Sequence, residues 1–138
     1  METAKKLNQQ KIINFPKGLL GFEQFKDYII LEEPESNGLL YWLESVDDPS
    51  VALLVTPPQM FVDYKVKIDI DKLEGIGITE ESETEVLSVV NLPEDITKAT
   101  MNLKAPVIIN HQTMQGQQVV LDNDSLSIKH PLYKKESK

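Results

Sequence analysis

The sequence predicts a mainly β fold: a small antiparallel barrel, closed or nearly closed, with one or two short helices. Two observations predict it. Short apolar segments recur along the whole chain, punctuated by the proline, glycine, asparagine and aspartate residues that turn a backbone. One segment, residues 64–70, alternates strictly. Tyr64, Val66, Ile68 and Ile70 share one face, while Lys65, Lys67 and Asp69 share the other, which is the period of a half-buried strand.

Taken in order, residues 1–10 are polar and read as a loose arm. Residues 11–15 form a first strand, halted by Pro16 and the glycines Gly18 and Gly21. Residues 21–27 read as a helical turn, with Phe22 and Phe25 spaced by three on one face. Strand 28–32 stops at Pro34 and the turn cluster Glu35-Ser36-Asn37-Gly38. Strand 39–46 passes through Asp47-Asp48-Pro49-Ser50 into residues 51–55, apolar throughout, the pattern of a strand covered on both faces. Thr56-Pro57-Pro58 breaks the pattern before the alternating strand.

Residues 71–85 are the most polar stretch, and Thr79 or Ser82 can cap a short helix there, since glutamates favour a helix N-terminus. Residues 86–91 return to strand, and the polar loop 93–98 leads to strand 100–103. Beyond Pro106, strands 107–110 and 117–121 flank the hairpin signal Thr113-Met114-Gln115-Gly116. Residues 122–125 then turn into a last segment, 126–128, before a lysine-rich tail that reads as frayed. No internal repeat or linker divides the chain. Residues 1–138 read as one domain with an ordered core of about 11–133.

Composition narrows the function. At 138 residues and 41% hydrophobic content the chain can bury one core, and the absence of cysteine excludes disulfides and thiolate chemistry. The N-terminus lacks the apolar stretch of a signal peptide, and no apolar run is long enough to cross a bilayer, so a soluble cytoplasmic protein is expected. The net charge is −8, and every basic side chain apart from the histidines is lysine, with no arginine. Phosphate neutralisation dominates nucleic-acid affinity, and arginine is its usual instrument, so direct RNA or DNA binding is disfavoured. Excess carboxylate keeps a domain soluble and also eases the approach of a basic protein.

Motifs for catalysis are weak. His111 and His130 lie near neighbouring strand ends and, with Asp122, could meet in space, but their spacing matches no ligand pattern, and surface histidines beside turns explain them as well. Asp69 and Asp71 pair at i and i+2, yet flanking lysines give a solvated face. Asp122-Asn123-Asp124-Ser125 opens like a calcium loop without its glycine or distal glutamate. Trp42, beside Tyr41 and Leu43, suits a core edge. No phosphate cradle, nucleophile elbow or metallohydrolase helix is present, so no enzyme, metal or cofactor is expected.

The segment Phe15-Pro16-Lys17-Gly18-Leu19-Leu20-Gly21-Phe22-Glu23 resembles the opening signature of the FliW family, F-x-x-G-hydrophobic-x-G-F-E. Trp42-Leu43-Glu44-Ser45 with Asp48-Pro49, then residues 58–64, are similar to its second and third blocks. Residues 100–110 and 116–121 resemble its C-terminal signature, so the likeness spans roughly 11–133. The resemblance implies a protein that binds CsrA, a small dimeric RNA-binding repressor of translation, and stops it silencing flagellin mRNA. It also implies binding of newly made flagellin, in competition with CsrA, by a protein that is a monomer when free and touches neither nucleic acid nor membrane.

Within the signatures, Phe15, Gly18, Gly21, Phe22, Asn102, Pro106, Asn110 and Gln118 read as structural, with the glycines supplying positive φ or close approach and Phe22 a core plug. Contact candidates are the polar positions near turns: Asp69, Asp71, Glu74, Glu80, Glu81, Glu83 and Glu85. Two other readings compete with a protein-binding regulator. One is a barrel that binds or hydrolyses a small molecule in its mouth, with Trp42 or the histidines lining it; the other is an RNA-binding barrel, which the charge disfavours.

Overall fold

The structure, a computed structural model, describes residues 12–64, 73, 76 and 84–132. Among the described residues there are nine strands: β1 Ile12–Asn14, β2 Asp27–Glu32, β3 Tyr41–Ser45, β4 Ala52–Thr56, β5 Thr84–Asn91, β6 Thr100–Met101, β7 Val107–Asn110, β8 Gln115–Gln118 and β9 His130–Pro131. They pair in the order β4-β3-β2-β1-β8-β7-β5, and β4 pairs again with β5, so seven strands close a ring. Strand β5 is the hub. One of its edges carries β4; along the other, β7 pairs with Thr84–Leu87 and β6 with Val90 and Asn91. Strand β9 extends the sheet beyond β6.

Every pairing is antiparallel except β1 with β8, which is parallel and rests on the register Asn14↔Gln115. A parallel pair cannot be closed by a hairpin, so this seam joins the two ends of the sequence. Inside the ring lie Ile13, Phe15, Leu19, Tyr28, Leu43, Val55, Leu87, Val107 and Ile109, all 0% exposed. Phe15 and Tyr28 meet edge to face, ring centroids 5.4 Å apart, the arrangement that an aromatic quadrupole favours.

Two further clusters cover the outer face. Leu54, next to Val55 and hence on the opposite side of β4, packs outward with Tyr64, Val90, Met101, Leu103 and Leu132. Ile108 of β7 packs outward with Leu73, Ile76, Val119 and Leu121. Strand β7 is buried at every position, whereas in the run at 51–55, expected to be covered on both faces, only Leu54 and Val55 are buried and Ala52 is exposed.

The expected barrel is present; several local expectations are corrected. Residues 21–27 are not helical. Phe22 N–H donates to the Leu19 carbonyl and Phe25 N–H to the Phe22 carbonyl, so the spacing of three reflects two successive turns. Leu19, not Phe22, fills the core; Phe22 is half-buried. The helical content described is two 3₁₀ turns, Pro58–Met60 and Ile96–Lys98. The β7–β8 turn spans residues 111–114, two residues earlier than expected, with Met114 at φ +57°. Residues 126–128 are not a strand; the last strand is β9. The expected strand at 64–70 and helix near Thr79 or Ser82 lie outside the described residues, apart from Tyr64, which is buried in the outer cluster with Leu54.

Candidate protein-binding surface

Several signature residues lie at or near the β1–β8 seam, and others fold the chain around β6 and β7. Gly18 has φ +70°, and a Cβ there would lie 2.5 Å from the Glu23 Cα; Gly21 has φ +87° with open space around it. Gly116 faces the Phe15 ring so closely that any side chain would overlap it. Gln118 spans the seam: its amide nitrogen donates to the Ala105 carbonyl at 3.0 Å, and its oxygen accepts from the Leu20 N–H at 3.0 Å. Asn102 accepts from the backbone N–H groups of Lys104 and Ala105, folding the chain ahead of Pro106, which is buried. Asn110, 0% exposed, donates to the Ile76 carbonyl at 2.9 Å and accepts from the Gln112 N–H at 2.9 Å. A buried amide needs such partners, since each lost bond costs about 1–3 kcal/mol.

Of the acidic contact candidates, Asp69, Asp71, Glu74, Glu80, Glu81 and Glu83 lie outside the described residues. Glu85, the second residue of β5, lies opposite Ile109, and its Oε1 lies 2.9 Å from His111 Nε2. Both side chains are more than a third exposed, so the pair contributes little to stability. His130 sits at the other end of the hub strand, opposite Met101, which itself opposes Val90. Glu85 and Val90 are about 17 Å apart along β5. The histidines therefore do not meet, and among the described residues no cluster of three or more metal-ligating side chains forms.

Trp42 is half-buried in the outer cluster, and its indole N–H donates to Glu33 Oε2 at 2.9 Å. This bond belongs to a structured β2–β3 loop that sequence reasoning treated only as a turn. The loop borders a hollow of about 400 Å³. The available signal was Ser36-Asn37-Gly38, in which Asn37 and Gly38 both adopt positive φ (56° and 81°). Leu73 and Ile76 were also missed. They are 3% and 0% exposed and pack on the outer face of β7, a burial foreshadowed by two apolar residues three apart in a polar stretch.

A small seven-strand barrel with a side-chain-filled interior and charged loops outside it is a scaffold that presents a surface. The family model described as FliW protein matches residues 2–132. The chain is 36% identical over 125 residues to the flagellar assembly factor FliW of Alkaliphilus metalliredigens, covering 90% of this chain and 77% of that one. It is 38% identical over 132 residues to its counterpart in Lachnoclostridium phytofermentans, covering 94% and 85%. A crystal structure of the flagellar assembly factor FliW superposes with a TM-score of 0.82 at 27% identity, covering 91% of this chain and 88% of that one. The chain belongs to the FliW family of flagellar assembly factors.

Proposed function

We propose that the protein is a non-enzymatic, cytoplasmic regulator of flagellum assembly that acts as a single domain by exchanging protein partners. It binds the translational repressor CsrA, preventing it from repressing flagellin mRNA, and it binds flagellin, whose accumulation releases CsrA. The observation that carries this reading is the family match across residues 2–132. The net charge of −8 without arginine supports a basic protein partner over a nucleic acid.

The acidic stretch that holds Asp69, Asp71, Glu74, Glu80, Glu81, Glu83 and Glu85 is the proposed region of encounter, because Glu80, Glu81, Glu83 and Glu85 form the densest run of one charge in the chain. Charge steers association and apolar contacts hold the complex, so replacing Glu80, Glu81, Glu83 and Glu85 with glutamine lowers the on-rate for CsrA and barely alters folding stability. Surface-binding kinetics with purified CsrA and flagellin at two ionic strengths test this. No binding of either partner refutes the function; normal on-rates in the quadruple variant refute the placement of the encounter surface alone.

A further inference from the structure

We infer that the hollow beside the β2–β3 loop is a docking pocket for a partner protein segment in which an apolar side chain is flanked by basic residues. The inference rests on the reading that this protein works by binding other proteins, but not on the identity of the partner. The hollow measures about 400 Å³, within the range of pockets that enclose a ligand. Leu39, Leu40, Phe61 and Leu132 line it with apolar surface, and Glu33 and Glu35 line it with carboxylates. Of these, Leu132 is 5% exposed, while Glu35 is exposed to solvent.

The wall is set in advance. Glu33 N–H donates to the Leu40 carbonyl at 2.9 Å, and Ser36 and Leu39 N–H groups donate to the carbonyls of Glu33 and Ser36. The Ser36 hydroxyl lies 2.8 Å from the Glu33 carbonyl and accepts from Leu40 N–H at 3.1 Å. Thr56 on β4 donates its hydroxyl to the Leu39 carbonyl, tying the loop to the barrel. The Glu33 carboxylate is fixed by the Trp42 indole. A ligand entering a wall already ordered in this way loses less affinity to ordering.

Charge selects the occupant. Among the described residues two carboxylates and no lysine line the hollow, in a chain of net charge −8, so phosphate-bearing ligands are repelled and ammonium or guanidinium groups attracted. The apolar lining then takes the residue between the two basic ones. A segment bearing only charge would leave Leu39, Leu40 and Phe61 uncovered, and an uncharged apolar segment would leave the acidic edge unmatched.

The test is a methyl-NMR titration of the full chain with three synthetic peptides of equal length, centred on Lys-Leu-Lys, Ser-Leu-Ser and Lys-Ser-Lys. The expected result is a saturable shift of the Leu39, Leu40 and Leu132 methyls with Lys-Leu-Lys, at severalfold tighter binding than either control. The variant Glu35→Lys should weaken Lys-Leu-Lys severalfold and leave Ser-Leu-Ser unchanged; Glu35 is exposed, so the fold tolerates the change. Equal response to all three peptides, or shifts elsewhere on the barrel, overturns the inference. So do methyl shifts that appear on concentrating the protein alone, which would make a second copy the occupant. Peptide-like changes at those methyls in a full-length variant carrying Tyr133→Ala, Lys134→Ser and Lys135→Ser would make the chain's own tail the occupant, and would also overturn it. Loss of CsrA and flagellin binding alongside a positive peptide result would refute the proposed function while leaving the pocket intact.

Discussion

Gly18→Ala and Gly21→Ala separate two reasons for a glycine that are usually confounded. Both positions have positive φ, at +70° and +87°, and an alanine in that region costs roughly 1–2 kcal/mol. Only Gly18 also lacks room. Its new Cβ would sit 2.5 Å from Glu23 Cα and 2.7 Å from Glu23 O, against an ordinary carbon contact of about 3.5–4.0 Å. The obstruction is backbone, in a segment held by the Phe22 and Phe25 turn bonds, so it cannot swing aside as a side-chain tip would. Overpacking of this kind adds about 1–3 kcal/mol. Gly18→Ala is therefore expected to lose about 2–5 kcal/mol and Gly21→Ala about 1–2 kcal/mol. Urea unfolding followed by Trp42 fluorescence measures the difference as a shift in midpoint at constant slope. Losses within about 0.5 kcal/mol of each other would refute the reasoning, because they would leave close approach with no energetic consequence.

Two other perturbations test the core and the alkaline limit. Gly116→Ala drives a methyl into the Phe15 ring and is expected to lose about 1–3 kcal/mol. Phe15→Leu makes room, so the double variant should lose less than the sum of the singles in a urea double-mutant cycle. Burial pushes the Tyr64 hydroxyl up to about 12 from its ordinary 10.0, while the hydroxyl donates to the Leu103 carbonyl at 2.6 Å. Above pH 10 the unfolded chain releases this proton and the folded chain keeps it, so stability contributed by Tyr64 is full below pH 10 and lost as pH rises toward 12. Tyr64→Phe should lower the urea midpoint at pH 8 and show a shallower decline between pH 10 and 11.5 than wild type; identical slopes would remove Tyr64 from the titration.

The strands were legible wherever burial followed a simple period. Tyr28, Leu43, Val55, Leu87 and Ile109 were all placed in strands from apolar pattern alone, and all point into the ring. Legibility failed where one residue type serves two purposes. Gly116 read as a turn glycine, but its missing side chain makes room for Phe15, a contact between residues far apart in sequence, and Met114 takes the positive φ of the turn. Phe22 and Phe25 gave a helical spacing, yet Gly18 and Gly21 break the backbone with positive φ, and the same interval of three arises from consecutive turns. The pocket beside the β2–β3 loop was beyond sequence reasoning, because Leu132 joins Leu39 and Phe61 only through the pairing of β6 with β9 and the packing around it.

Part of the family likeness has a mechanical role that the structure makes visible. Strands β1 and β8 are parallel, share a single register pair, and lie near opposite ends of the described chain, so backbone pairing alone holds that seam weakly. Side chains complete it, Phe15 packing on Gly116 and Gln118 bridging Leu20 and Ala105, beside one further backbone bond from the Asn14 N–H to the Met114 carbonyl. Phe15, Gly116 and Gln118 belong to blocks that carry the FliW likeness, and in this structure they close the ring. Other residues of the likeness sit outside the ring: Trp42 holds Glu33, and Phe61 lines the hollow beside the β2–β3 loop. If the proposed pocket selects a partner, Glu33 and Glu35 on an ordered loop supply the charge for it, with the Glu33 carboxylate held in place by Trp42 before any partner arrives.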